Sequence, residues 1–313
     1  MAEPKKYIDM LSTNPIPMLL EKAPLPVQYA TVKRFTPEET SRIENLYEEL
    51  QHSSELAKIL KSQQSDGLWK LKEKFSIEER QKAMLFLNQL KVMNRLHDFG
   101  CEIDISEVQR GLIALLKMQK PDGKFPLMMH HHGLALWLLV RYGLTGNPFV
   151  ERGFRWVVKR QHSDGGWLSP SMLPAGLPFK SAKSCIWTTL IILQALSIHS
   201  RLRTSVTCQR ASEFLLENYL NANDTTLFPD STAWDYLYTD YTDNGLFRGG
   251  TLRFVEVFSD LPDTHRHPRF KKAVNWLIEQ QLPSGLFPAV AGKSTDGDYF
   301  VTYRVIKALD AIG

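Results

Sequence analysis

The sequence predicts an all-α protein built from repeated helical hairpins, and three observations carry that prediction. First, one local pattern recurs: an amphipathic helix ends in Gln, a tight Gly turn follows, and an aromatic ring closes it. Its clearest copy is Arg152–Trp167, where Phe154, Val157, Val158 and Gln161 share one helical face before Asp164-Gly165-Gly166 and Trp167. Gly stops a helix there because it reaches positive φ without a Cβ penalty. Second, the copies are spaced like repeats. With Asp66, Asp122, Asp164, Asp224 and Ser284 as markers, the intervals are 56, 42, 60 and 60 residues. Third, amphipathic helices that end in this turn alternate with more apolar helices that follow it, as expected of an outer and an inner set.

Taken in order, residues 1–35 hold Pro4, Pro15, Pro17, Pro24 and Pro26 and read as an extended N-terminal arm. Thr36-Pro37-Glu38-Glu39 reads as a capped helix start, giving a helix over 37–49 that has no partner in the pattern. Residues 36–313 then read as a single domain of five hairpins: 54–98, 107–143, 148–198, 204–259 and 267–311. In the first, Gln63 and Gln64 precede Asp66-Gly-Leu-Trp69, and Ser76-Ile-Glu-Glu79 opens the returning helix. In the second, Gln119 precedes Asp122-Gly-Lys-Phe125, and the apolar run Met128–Tyr142 returns. The third pairs the Gln161 turn with Ser184–Ile198 across a Pro-rich loop. The fourth is worn: Arg210–Leu216 leads to Asp224-Thr-Thr-Leu-Phe228 with no Gln at the helix end. The fifth restores the pattern with Gln281 and Ser284-Gly-Leu-Phe287.

Arg152-Gly153, Trp156-Val157-Val158, Gln161 and Gly165-Gly166-Trp167 resemble the Gln-Trp motif of squalene-hopene and oxidosqualene cyclases. Protein prenyltransferase β subunits carry related repeats, and the resemblance spans about residues 54–312. It implies an α/α toroid of outer and inner helices, in which Gln caps a helix end and the aromatic covers the turn. The departures are as informative. Class II terpene cyclases use an Asp-x-Asp-Asp acid, whereas Asp240-Tyr-Thr-Asp243 and Asp296-Gly-Asp298 are the nearest approaches here. The Asp-rich magnesium motif of class I synthases is missing. The prenyltransferase zinc ligands are not matched either: Val301 stands where a His belongs, and Lys183 replaces the Asp two residues before Cys185. No metal site and no cofactor are therefore expected.

Composition narrows the class. With 43% hydrophobic and 23% charged residues and a net charge of +4, the chain has the balance of a soluble globular protein, and nucleic-acid binding is not expected. No stretch reaches the roughly 20 apolar residues of a membrane span, and the N-terminus shows no secretory signal. Cys101, Cys185 and Cys208 make no disulfide framework, so reduced thiols and a cytoplasmic location are expected.

In such a toroid, loops after outer helices and the starts of inner helices share one rim, where helix N-termini present unpaired N–H groups. Chemistry is expected there, facing a central cavity. His130, His131 and His132 open the Met128–Tyr142 helix; adjacent positions diverge by about 100°, so the three cannot all face one ion. Either one caps, one packs and one is solvated, or one neutral His acts in the cavity as an acid or base or as a metal ligand. The stretch Trp234-Asp235-Tyr236-Leu237-Tyr238-Thr239-Asp240-Tyr241-Thr242-Asp243, with Arg248, Arg253 and Glu256 beyond, is the most unusual. It is either a surface loop of ion pairs or a cavity wall whose π-faces stabilise a cation while a carboxylate moves a proton. The catalytic candidates are His130, His131, His132, Asp235, Asp240, Asp243 and Asp298. The substrate-lining candidates are Trp137, Cys185, Trp187, Trp234, Tyr238, Tyr241, Arg248, Arg253 and Tyr303, with Arg253 and Glu256 expected to pair at i, i+3.

The expected function is a metal-independent enzyme that protonates, isomerises, hydrates or dehydrates an isoprenoid or other apolar small molecule. One alternative is a carbohydrate-active toroid with two rim carboxylates. The other is a non-catalytic toroid that binds lipid or protein.

Overall fold

The computed structural model describes residues 7–71, 76–169, 178, 182–220, 234–237, 250–262, 264–292 and 296–312. Within them the expected all-α class holds: there are thirteen α-helices and no strand, only isolated bridges. In chain order the helices are α1 (Ile16–Lys22), α2 (Leu25–Phe35), α3 (Thr40–Gln51), α4 (Ser54–Lys61), α5 (Glu78–Asp98), α6 (Ser106–Lys117) and α7 (Met129–Arg141). They continue as α8 (Pro148–Val158), α9 (Ile186–Ser197), α10 (Val206–Asn218), α11 (Thr251–Ser259), α12 (Pro268–Glu279) and α13 (Tyr299–Ile312). The chain divides into two compact units, residues 51–215 and residues 1–50 with 216–313.

In the 51–215 unit, α7 and α9 pack side by side at the centre. Every residue of α7 from His131 to Val140 is buried, and so is every residue of α9 except Trp187. The amphipathic helices α6 and α8 bury one face each, Val108, Leu112 and Leu115 in α6 and Val150, Phe154 and Val157 in α8. Each turn between the two layers is fastened by one side-chain amide. The Nε2 of Gln63, Gln119 and Gln161 donates to the carbonyl of its own turn glycine, Gly67, Gly123 and Gly165, at 3.1, 3.0 and 2.7 Å. The same nitrogen donates again to the start of the next outer helix, at Glu107, Phe149 and Thr207, at 2.8, 2.9 and 2.8 Å.

Glycine is required at these turns for two reasons. Gly67, Gly123 and Gly165 have φ of +85°, +100° and +93°. A Cβ there would also stand only 2.4–2.6 Å from the carbonyl oxygens of Arg110, Arg152 and Arg210. The closing aromatics are fully sealed, and the two tryptophans spend their donor on the helix behind: Trp69 Nε1 to Ile59 O at 2.8 Å and Trp167 Nε1 to Val157 O at 3.0 Å.

The 1–50 and 216–313 unit corrects the expected extended arm. Residues 16–35 form α1 and α2, packed on each other, and α2 lies against α13. Pro17 and Pro26 occupy first-turn positions of these helices, and Pro15 and Pro24 are their N-caps. A proline at those positions gives up no hydrogen bond, because the N–H groups of a first turn have no intrahelical partner. Gln281 shows what the segment does. Its Nε2 donates to Gly285 O at 2.9 Å, as in the other copies, and to Thr13 O at 2.7 Å, in the segment that leads into α1. Its Oε1 accepts from Ser12 Oγ at 2.7 Å and from Thr13 N at 3.2 Å. The α1–α2 pair therefore stands as a further hairpin after the fifth. The expected helix at 37–49 starts later, at Thr40, because Thr36, Glu39 and Arg42 first make a turn.

The worn repeat is fastened from the other side. Its closing aromatic, Phe228, lies outside the described residues. At its helix end, Arg269 of α12 reaches back, and its Nη1 donates to Leu216 O at 2.8 Å and to Glu217 O. Trp167→Ala should lower stability by about 3–5 kcal/mol through loss of a sealed aromatic. Arg269→Ala should cost only ~1 kcal/mol, since exposed helix-end carbonyls turn to water. Urea melts of both variants read the difference, and equal shifts would count against the structural role of the turn aromatic.

Candidate active site

The starts of α7, α9 and α13 are held to their turns by a recurring joint. The backbone N–H of the turn aromatic donates to a side chain of the following helix: Phe125 to His132 Nδ1 at 2.9 Å, Trp167 to Thr189 Oγ1 at 3.0 Å and Phe287 to Thr302 Oγ1 at 2.9 Å. In two copies the residue four positions earlier caps the helix and returns a bond to the turn. Cys185 N donates to Trp167 O at 2.9 Å and Asp298 N to Phe287 O at 2.8 Å. Cys185 Sγ accepts from Thr188 N at 3.4 Å, and Asp298 Oδ1 accepts from Val301 N at 2.9 Å.

This joint accounts for three residues expected to do chemistry. His132 uses both ring nitrogens on the backbone, since Nε2 also bonds Gly153 O at 3.2 Å. An Nδ1 that accepts and an Nε2 that donates require the neutral Nε2–H tautomer. Burial pushes the pKa of this imidazole down to about 4, which keeps it neutral. Cys185 and Asp298 act as N-caps, and burial raises the Cys185 thiol pKa, so it is no ready thiolate.

His130 and His131 are not part of the joint. Their ring centroids lie 4.0 Å apart, tilted by 40°, at the head of α7. Burial lowers the His130 pKa to about 4. Burial first, and then the charge of His130, lowers the His131 pKa to about 3. Both are neutral imidazoles over the physiological range. Ser169, buried just beyond the Trp167 turn, holds the head of α7 by accepting from Met129 N at 2.8 Å. Trp187 is half-buried in the first turn of α9. Trp137 lies two helical turns further along α7 with the Arg141 guanidinium 4.5 Å over its ring. That guanidinium is tied to Asn94, His97 and Asp98 of α5, which makes this end of α7 a packing joint.

In the other unit, Trp234 is core, 1% exposed and edge-on to Tyr219 at 4.9 Å. Asp235 is half-buried, and its carbonyl accepts from Ala291 N at 3.0 Å. Tyr303 packs onto the apolar cluster around Leu19, Val27 and Ile306. Glu256 pairs with Arg304 of α13, in place of the expected Arg253, by two bonds of 2.7 and 2.6 Å. Burial alone would raise the Glu256 carboxyl, but Arg304, with Lys307 and Arg253 beside it, outweighs burial and lowers the pKa. Arg253 is 3% exposed on the same helix. Asp240, Asp243, Tyr238, Tyr241 and Arg248 lie outside the described residues. Among the described residues no three His, Cys, Asp or Glu side chains converge as metal ligands, and no helix is long and apolar enough to cross a membrane.

No family model matches this chain, and no curated protein matches it in sequence. Solved structures similar to it include a polysaccharide lyase, 14% identical over 90% of this chain and 86% of that one, with a TM-score of 0.49. A type II terpene cyclase, MstE from Scytonema, in complex with geranylgeranyl dihydroxybenzoate, is 13% identical over 85% and 98%, with a TM-score of 0.31. A protein from Actinoplanes is 13% identical over 82% and 97%, with a TM-score of 0.32. At such identities, substrate and chemistry rest on this chain's own residues.

The joint predicts how His132 responds to substitution and pH. His132→Ala should cost about 2–4 kcal/mol, combining a cavity with a stranded Phe125 N–H. His132→Thr, which restores the acceptor found at Thr189 and Thr302, should cost less. A folded-state pKa of about 4 lies below the unfolded value of roughly 6.5, so the unfolded chain binds the proton first. Stability should therefore be full at neutral pH and fall as pH drops from about 6.5 toward 4, by at most ~1.4 kcal/mol per pH unit for each such histidine. Urea melts across that window should show a shallower slope for His132→Thr; an unchanged slope would exclude His132 as a source.

Proposed function

We propose that the chain is an enzyme that acts on an isoprenoid-like or other apolar small molecule by proton transfer, as an isomerase or as a hydratase or dehydratase. The observation that carries this reading is the His130–His131 pair: two neutral imidazoles in ring contact, one half-buried and one buried, outside the joint that employs His132. A neutral imidazole of low pKa is a weak base, which suffices for the strongly acidic C–H beside a carbocation. Once protonated it is a strong acid, able to return the proton to an alkene carbon or a leaving hydroxyl. The apolar packing of α7 and α9 supports an apolar substrate, and the Gln-Trp resemblance points the same way.

The carbohydrate alternative needs two free carboxylates roughly 5–9.5 Å apart. Glu256 offers none, since Arg304 binds it through both oxygens. The non-catalytic alternative is favoured by one observation, the use of His132, Cys185 and Asp298 as framework.

The test begins with native mass spectrometry for a co-purified apolar ligand, then turnover of short prenyl alcohols. His130→Gln and His131→Gln should each reduce turnover by about 100-fold or more, the usual scale for loss of a general acid or base. Because the imidazole pKa values are about 3–4, base-dependent turnover should stay flat as pH falls to about 5. Full turnover in the double variant would sink the assignment; absence of any apolar ligand or turnover would favour the non-catalytic reading.

A further inference from the structure

Charge is unevenly divided along the chain. Residues 51–215 carry 23 Lys and Arg against 13 Asp and Glu, a net charge of +10; residues 1–50 and 216–313 carry 15 against 21, a net charge of −6. In the 51–215 unit the excess surfaces on α8 and on the turn fastened to it, where Arg155, Lys159, Arg160, Lys117 and Lys120 are exposed. The neighbouring acids are already engaged. Glu151 is bound by His199 and Arg201, Asp122 accepts from Trp156 Nε1 and Lys124 N, and Asp164 holds Ser184. Among the described residues, Lys117, Lys120, Arg155 and Lys159 form no ion pair. Helix α3, which stands outside the five hairpins, has the opposite character. It buries only Leu46 and Leu50 and exposes Glu44, Glu48 and Glu49. Both rows work against the helices that carry them. Glu44 and Glu48, like Arg155 and Lys159, are four residues apart, and like charges at that spacing destabilise a helix. Glu48 and Glu49 also fall in the last turn of α3, where no basic residue offsets them at the negative end of the helix dipole. An opposite row supplied from outside relieves all of these repulsions.

We propose that the protein self-associates, with α3 of one copy docked on α8 of a second, so that Glu44, Glu48 and Glu49 face Arg155, Lys159 and Lys120. The occupant of the basic face is a second copy because the chain itself carries the complementary row at the same pitch. In α3 and in α8 alike the charges stand four residues apart, about 6 Å along the helix axis. The two surfaces are unlike, so a copy docked through its α3 still offers its own α8, and association continues past the dimer unless it closes on itself. A contact made chiefly by exposed charges forms fast, is weak and is screened by salt. This inference is independent of the His130–His131 reading, and its readout is association rather than turnover.

The experiment is sedimentation velocity of the full chain over a concentration series. It is run at about 0.02 M and about 0.5 M ionic strength, between which the Debye length falls from roughly 20 Å to about 4 Å. The sedimentation coefficient should rise with concentration in the first buffer and stay constant in the second. Arg155→Glu with Lys159→Glu should weaken association about 10-fold or more, and so should Glu44→Lys with Glu48→Lys. All four side chains are exposed, so the melting temperatures should hold. Lys58→Glu with Lys61→Glu, an equal charge change at exposed positions of α4, should leave association unchanged. The decisive step is mixing. The α8 variant has two acidic rows and the α3 variant two basic rows, so each alone should stay monomeric and the two together should assemble. A wild-type chain that is monomeric at low ionic strength would overturn the proposal. So would variants that fail to assemble on mixing, or an α4 control that weakens association as much as the α8 pair. Retention of a monomeric wild type on heparin through Arg155 and Lys159 would give the basic face to a polyanion instead.

Discussion

One side-chain amide at the end of an outer helix sets the geometry of each intact turn. It donates twice, once back into its own turn and once forward, to the next outer helix at Gln63, Gln119 and Gln161 and to the segment ahead of α1 at Gln281. A helix end leaves carbonyls without partners, and a helix start leaves N–H groups. A backbone cannot satisfy a turn and position a neighbouring chain at once, because its donor is fixed in direction. The two N–H groups of a primary amide diverge by about 120° and can do both. Asn is one methylene too short for the same span, and Lys or Arg would bring a charge. The worn copy illustrates the constraint: without the Gln, the link passes to Arg269, and the donor comes from the following helix.

A second constraint follows at the heads of α7, α9 and α13. Once the Gln has fixed the turn, the backbone N–H of the closing aromatic points at the inner helix and needs an acceptor, since an unmet buried donor costs about 1–3 kcal/mol. Thr189 and Thr302 supply a hydroxyl, and His132 supplies an imidazole nitrogen that must stay unprotonated. The imidazole also reaches Gly153 on the next outer helix, which a threonine is too short to do. A residue type associated with proton transfer is thus employed for a reach and an acceptor, and its low pKa is a consequence of packing between Phe125 and Trp156.

The five hairpins were legible because their signals are local: helical period, a Gln, a Gly at positive φ and an aromatic within a few residues. The α1–α2 pair was not, because its prolines read as breaks, and their placement at helix starts shows only when the helix bounds are known. The joint was invisible for another reason. Phe125 and His132 are 7 residues apart, Trp167 and Thr189 are 22 apart, and Phe287 and Thr302 are 15 apart, with loops of unequal length between. No fixed spacing marks it, so His132 could not be separated from His130 and His131, nor the caps Cys185 and Asp298 from cavity residues. Arg304 was missed because its partner, Glu256, lies 48 residues away on another helix.

The inner helices also differ in how they fix their mutual position. The α7–α9 contact is apolar, and volume and shape alone must set its register. Between α11 and α13 the Arg304–Glu256 pair adds a directional constraint. Desolvating both charges offsets much of their attraction, so the pair is weak evidence for stability. Its geometry is nevertheless exacting, because a planar guanidinium binds both carboxylate oxygens only in one alignment. A slide of one helical turn, about 5.4 Å, would leave two charges partly buried and unmatched. The pair therefore holds the head of α13, with Tyr299, Phe300 and Tyr303, at a fixed place on α11. An apolar contact could tolerate small shifts there; a surface that receives the N-terminal segment needs a floor that does not move.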